Sequence, residues 1–226
     1  ILNLTRKIYQ TIDRMKETES FSLQGLRGMD IKGKTLGVIG TGRIGKEVIK
    51  IAQGFGMNVL AYDAHPDNLL EKNDNVSYKT LDEVLASSDI ISLHCPYNKG
   101  THHLINKNNI GIIKKGAYLI NTARGPIVET EALIQALEDK TLAGVGLDVL
   151  EEEGETKDEM AFLATGSPRE EELKIILRNH ILMKMPNVLI TPHNAFNSQE
   201  ALERILQTTI ENIKSYMSAE PKNIAR

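Results

Sequence analysis

The sequence predicts an α/β fold built on a doubly wound parallel sheet. Short apolar runs alternate with helical patterns along most of the chain. A glycine-rich turn joins the first apolar run to the helix that follows it. The composition of the 226 residues, 41% hydrophobic and 25% charged, is that of an ordinary globular chain.

The elements follow in order. Ile1, Leu4, Ile8, Ile12 and Met15 lie at helical spacing and predict one amphipathic helix over 1–17. Residues 18–33 are polar and read as a connecting loop. Thr35–Ile39 is a strand, Arg43–Gln53 a helix ended by Gly54 and Gly56, and Asn58–Tyr62 a second strand. Thr80-Leu81-Asp82-Glu83 has the capping-box form and starts a helix running to about Ser87. Ile90–Leu93 is a strand, Asn106–Ile113 a short helix, Ala117–Asn121 a strand and Glu129–Lys140 a helix. Leu142–Val149 reads as a strand softened by Gly144 and Gly146. The segment 150–185 opens acidic and becomes helical around Glu170–Leu177; Val188–Ile190 is the last strand, and Ser198–Met217 the closing helix.

Composition excludes several classes. Lys+Arg 27 against Asp+Glu 30 gives a net charge of −3, without the basic footprint of a nucleic-acid binder. No apolar run approaches the ~18–20 residues of a membrane span. A single cysteine, Cys95, leaves no disulfide framework and no Cys-rich zinc site, and favours a reducing compartment such as the cytoplasm. Ile1 opens directly into helical sequence without an initiator Met, which reads as a processed or truncated chain.

Gly40-Thr41-Gly42-Arg43-Ile44-Gly45 is a GxGxxG turn between strand and helix, and Asp63 ends the next strand 18 residues after Gly45. Each part has a job in a Rossmann-type dinucleotide site. Gly40 permits the tight turn, Gly42 lets a pyrophosphate approach the backbone, and Gly45 lets helix and strand pack closely. The helix N-terminus offers free N–H groups to the anion. Asp63 can accept from ribose hydroxyls and would repel a 2′-phosphate, so the expected cofactor is NAD.

Arg124, the acidic group ending in Glu153, and His193 each follow a predicted strand. Residues just beyond the carboxyl ends of the strands line the ligand crevice of such sheets, so the three can converge although distant in sequence. Together they suit hydride transfer to a 2-keto acid. Arginine grips a carboxylate through its planar fork. An imidazolium donates a proton to the developing alkoxide, and a neighbouring carboxylate orients it and raises its pKa.

The stretches VIGTGRIG, SLHCPY, INTARGPIV, GLDVLEEE and NVLITPHNAF occur in that order between residues 36 and 196. With them the chain resembles the D-2-hydroxyacid dehydrogenase family. The resemblance implies that Arg124 binds the substrate carboxylate and that His193 is the proton donor and acceptor. It picks Glu153, rather than Glu151 or Glu152, as the acid paired with the histidine. It places Asp148 near the nicotinamide carboxamide, and His94, Cys95, Pro96, Thr122 and Ala123 along the cofactor, beside Arg43 and Ile44 of the glycine turn. Phe196 resembles an aromatic that shapes the substrate pocket of D-lactate and D-2-hydroxyisocaproate dehydrogenases. Cys95 reads as a small buried hydrophobe rather than a nucleophile. The adjacent pair His102-His103, with no carboxylate or Cys at ligand spacing, is not read as a metal site, and no other is expected.

The same resemblance sets the expected organisation: a NAD-binding domain over 1–196, with an entry helix at 1–17 and an insertion at 154–185, then a helix in 197–226 returning to a flavodoxin-like substrate domain that this sequence lacks. The 39 residues between Glu153 and His193 exceed the family's usual spacing, and the insertion is expected to border the cleft and be less ordered. The expected activity is interconversion of a 2-keto acid and a D-2-hydroxy acid, pyruvate and D-lactate first, by a homodimer paired through the apolar stripe of the entry helix. A phosphoglycerate- or glyoxylate-type dehydrogenase, or a NAD-sensing corepressor-like module, remains open at this point.

Overall fold

The computed structural model describes residues 1–73, 76–153, 170–220 and 222–224. The chain forms two compact units, 1–190 and 191–226. The first unit is a seven-stranded, all-parallel sheet: β1 Thr35–Ile39, β2 Asn58–Tyr62, β3 Val76–Tyr78, β4 Ile90–Leu93, β5 Ala117–Asn121, β6 Leu142–Leu147 and β7 Val188–Ile190. The spatial order is β3-β2-β1-β4-β5-β6-β7. The order reverses between β1 and β4, where Leu36 pairs with Ile90 and Ile39 with Leu93. That switch point opens a crevice at the carboxyl ends of the strands.

The strands alternate their side chains between two apolar clusters, one per face of the sheet. In β1, Leu36 and Val38 join the cluster that holds Val59 and Ala61, while Ile39 joins the one that holds Leu93 and Leu119. Burial on both faces explains why these strands read as continuous apolar runs.

The helices among the described residues are α1 Leu2–Thr5, α2 Ile8–Thr18, α3 Arg43–Gly54, α4 Asn68–Asn73, α5 Leu81–Ser87, α6 Thr130–Glu138, α7 Glu170–Lys184 and α8 Gln199–Met217. The capping box at α5 is complete: Thr80 Oγ1 accepts from Glu83 N at 3.3 Å, and Glu83 Oε2 accepts from Thr80 N at 2.9 Å. The second unit, as far as it is described, is a short N-terminal segment followed by α8, whose N-cap Ser198 accepts from Ala201 N at 3.2 Å.

Several sequence expectations are corrected. The single helix over 1–17 is two helices, broken at Lys7, whose φ is 52°. The apolar stripe is broken with it: Leu4 is buried, while Ile8 and Ile12 are exposed. Within Asn106–Ile113 only a 3₁₀ turn at Ile110–Ile112 forms, because Asn106 and Asn109 bond their side chains to neighbouring backbone groups. The strand from Leu142 stops at Leu147, and β3 is an additional strand.

In the insertion, 154–169 lie outside the described residues. Glu170–Lys184, however, is one helix that buries Leu182 in the core and bonds Arg178 to Glu131 of α6 at 2.8 Å. This part is a packed helix. Among the described residues no helix is long and apolar enough to cross a membrane.

Candidate functional site

The glycine turn sits at the carboxyl end of β1. Gly40 has φ +95°, and a Cβ there would fall 2.5 Å from the Cys95 backbone N. Gly45 is buried under the turn; a Cβ would fall 2.1 Å from the Gly40 carbonyl oxygen. Gly42 is the N-cap of α3, and nothing lies within 4 Å of where its Cβ would be. The loop is thus closed where helix meets strand and open where an anion would rest on the helix N-terminus. Arg43 and Ile44, the first residues of α3, are exposed beside that opening.

Asp63, at the end of β2, turns toward this loop. Its Oδ2 accepts from Thr41 N at 2.7 Å and from Thr41 Oγ1 at 3.1 Å, and its Oδ1 from His65 N at 2.8 Å. Burial alone would raise its carboxyl, but these hydrogen bonds outweigh it and hold the group below the usual carboxylate range. The sequence did not point to Tyr78 on β3, whose hydroxyl donates to Thr41 Oγ1 at 2.8 Å and accepts from Asp67 N at 3.1 Å. Tyr78 therefore braces the loop that bonds Asp63. A cleft of about 250 Å³ is lined by Gly40, Tyr62, Asp63, His65, Cys95 and Pro96, among others. An ionised carboxylate, an open helix N-terminus and a partly apolar cleft fit a dinucleotide.

His94 and Cys95 follow β4. His94 Nε2 lies 2.8 Å from Ser92 Oγ, and burial lowers the imidazole pKa to about 4, so the ring is neutral near pH 7. Burial likewise pushes the Cys95 thiol up to about 11, which keeps it protonated and a poor nucleophile.

Arg124 follows β5 on a turn closed by Asn121. The buried Asn121 amide donates to Arg124 O at 2.9 Å and accepts from Ala123 N at 3.0 Å. Thr122 and Arg124 are exposed, and Arg124 Nη1 donates to Ala123 O. The next residue, Gly125, lies hard against the loop after β6: a Cβ there would fall 2.0 Å from the Leu150 carbonyl carbon. Asp148 begins that loop, buried, with its N–H donating to Asn121 O at 2.9 Å. Glu153 is half-buried, and its Oε2 accepts from Leu150 N at 3.4 Å.

The acidic run is not uniformly solvated. Glu151 is buried, and its Oε1 accepts from His103 Nε2 at 2.7 Å. The carboxylate missing near His102-His103 in sequence is supplied from 48 residues away. His102 stacks on His103 with ring centres 4.0 Å apart. Among the described residues no group of three metal-ligating side chains forms.

His193 and Phe196 belong to the second unit. His193 has φ 51°, an uncommon backbone state for a residue with a Cβ. Its ring packs edge-to-face on Phe196, with centres 6.3 Å apart.

Residues 1–195 match the family model described as D-isomer specific 2-hydroxyacid dehydrogenase, NAD binding domain. The chain is 42% identical over 214 residues to a 2-hydroxyacid dehydrogenase homolog of Zymomonas mobilis, covering 94% of this chain and 62% of that protein. It is 34% identical over 223 residues to D-lactate dehydrogenase of Escherichia coli, covering 97% and 64%. Among solved structures, D-lactate dehydrogenase from Aquifex aeolicus, complexed with NAD and lactic acid, superposes with a TM-score of 0.85 at 38% identity, covering 97% of this chain and 64% of that one. The chain spans about three fifths of the length of such relatives. With an NAD-type cleft at the switch point of a parallel sheet and a family match over most of its length, this chain belongs to the D-isomer specific 2-hydroxyacid dehydrogenase family, of which it carries the NAD-binding domain.

Proposed function

We propose that the full-length protein interconverts a 2-keto acid and a D-2-hydroxy acid with NAD(H), with pyruvate and D-lactate as the preferred pair. One observation carries this reading. The exposed Arg124 turn and the Asp148–Glu153 loop pack against each other through Gly125, at the same end of the sheet as the glycine cleft. Arg124 takes the substrate carboxylate through its planar fork and polarises the carbonyl beside it. Bound NADH supplies the hydride. His193 gives its proton to the carbonyl oxygen and takes one back in the reverse direction, while Glu153 pairs with the imidazolium. The left-handed backbone at His193 supports a functional role, since such strain gathers at sites where a side chain must be aimed. Phe196, against the His193 ring, shapes the substrate pocket; Asp148 borders the nicotinamide end, and Thr122 and Ala123 lie along the cofactor.

The test is turnover of a panel of 2-keto acids by the full-length protein with NADH. Pyruvate reduced at ordinary enzyme rates supports the reading. Preference for hydroxypyruvate or glyoxylate moves the protein to another branch of the family. NADH binding without turnover of any 2-keto acid makes it a sensing module.

Cofactor choice rests on Asp63. NAD(H) is expected to bind more tightly than NADP(H), and Asp63→Ala to narrow the gap, because it removes the charge that opposes a 2′-phosphate and frees the Thr41 N–H. Calorimetry giving equal affinities for both cofactors in the unmutated protein would overturn this. The exposed Ile8 and Ile12 on α2 support a homodimer; a monomeric mass by light scattering of the full-length protein over a wide concentration range would refute it. The single cysteine, Cys95, supports a reducing compartment such as the cytoplasm, which fractionation checks.

A further inference from the structure

The buried Glu151 carboxylate has no step in the proposed reaction, yet it joins three segments that are distant in sequence. Its Oε1 accepts from His103 Nε2 at 2.7 Å, and its Oε2 accepts from Thr130 N at 2.8 Å and from the Thr130 hydroxyl. Its own carbonyl accepts from Asn179 Nδ2 of α7 at 2.8 Å. Only 6% of Glu151 is exposed. A carboxylate this deep is costly unless its lone pairs are met, and an apolar side chain would fill the same place at less cost.

The segment carrying His103 is tied to the Arg124 turn as well. His103 N donates to Pro126 O at 2.8 Å, Ile105 N to Ile127 O at 3.1 Å, and Glu129 N to Ile105 O at 2.9 Å. The Arg124 turn meets the Glu153 loop at Gly125, whose Cα leaves no room for a Cβ beside Leu150. Both His103 (φ 47°) and Glu152 (φ 48°), the neighbour of Glu151, are held in the left-handed region. Strain of this kind persists where the surroundings over-determine the backbone.

We propose that the His103–Glu151–Thr130 cluster positions the candidate site, clamping the Arg124 turn against the loop that carries Glu153 so that guanidinium and carboxylate keep one mutual geometry. The inference rests on the dehydrogenase reading for its purpose, but not for the clamp itself. Glu151 and His103 are positioning residues: neither is assigned contact with substrate or cofactor. The clamp joins segments after β4, β5 and β6 and does not include the glycine turn or Asp63.

The experiment compares full-length wild type with Glu151→Gln, Glu151→Ala and His103→Gln. Three quantities are read: steady-state turnover of pyruvate, NADH affinity, and amide hydrogen exchange. Glu151→Ala should lower kcat/KM by about 10²-fold, the scale of a site displaced by an ångström, with NADH affinity falling much less, because the glycine turn and Asp63 lie outside the clamp and only Asp148 at the nicotinamide end lies within it. Glu151→Gln keeps an acceptor for Thr130 and should recover part of the loss. Exchange should quicken over 124–130 and 148–153 and stay unchanged over 40–46. His103→Gln, at a ring one-third exposed, should give the same pattern more weakly, and serves if Glu151→Ala does not fold. Unchanged protection at 124–130 and 148–153 overturns the clamp. So does loss spread evenly over the sheet with NADH binding lost in step, which makes the cluster a general stability element. Exchange reads the clamp even if wild type reduces no 2-keto acid; that result would sink the dehydrogenase reading alone.

Discussion

His193→Gln in the full-length protein is expected to lower turnover in both directions by ~10²-fold or more, the scale of a lost general acid–base, while NADH binding stays intact. The reason lies in the separation of parts. The glycine turn, Asp63 and the cleft beside them are built from residues 39–104 of the first unit, whereas His193 belongs to the second. Glutamine can hydrogen-bond a carbonyl oxygen but cannot pass it a proton at neutral pH. Arg124→Gln should differ by raising KM for the keto acid as well as lowering kcat, because a carboxylate clamp acts in binding and in the transition state. Near-normal turnover in His193→Gln would overturn the mechanism.

The second large effect is expected from Gly45→Ala. One methyl group must occupy a point 2.1 Å from the Gly40 carbonyl oxygen. That neighbour is backbone, held in turn by the Gly40 N–H donating to Tyr62 O at 2.8 Å. Neither side can rotate away as a side chain would. The N-terminus of α3 must therefore separate from β1, at an overpacking cost of about 1–3 kcal/mol. The helix N–H groups and the Thr41–Asp63 bonds lose register together. NADH affinity should fall by roughly 10–100-fold, since each ~1.4 kcal/mol is a factor of ten. Gly42→Ala makes the control: its Cβ meets nothing within 4 Å, so the apo protein should keep its stability and lose affinity only through crowding of the bound pyrophosphate. Fluorescence titration of NADH with thermal unfolding of both variants separates the two. Wild-type affinity in Gly45→Ala would show that the turn does not set the anion site.

Local pattern carried much of the architecture. Continuous apolar runs marked strands buried on both faces, and six of the seven strands were legible from them. The Thr80–Glu83 cap was legible because both partners lie within four residues. The place of the glycine turn between β1 and α3 was legible for a similar reason: the constraint is short-range and sterically narrow, so few residues satisfy it. Arg124, Glu153 and His193 were drawn from strand ends and from resemblance; their roles, like those of the glycine turn and Asp63 toward the cofactor, stand as proposals.

What tertiary structure decided came from partners far apart in sequence. The three-residue β3 has too short a pattern to announce itself; it forms because Val76 and Tyr78 pair with β2. The entry helix has an unbroken helical period, yet Leu4 is drawn into the core while Ile8 stays outside, and the chain breaks at Lys7 to allow both. The apolar positions of Glu170–Lys184 are diluted by charge, and the helix reaches Lys184 because Leu182 finds the core beside α6. Glu151 looks like a surface acid beside two others, and nothing within several residues of it indicates burial. Its environment is set by His103 and Thr130, 48 and 21 residues away. Sequence periodicity reports which way a side chain can face, whereas the burial of a charge depends on which distant donors arrive to meet it.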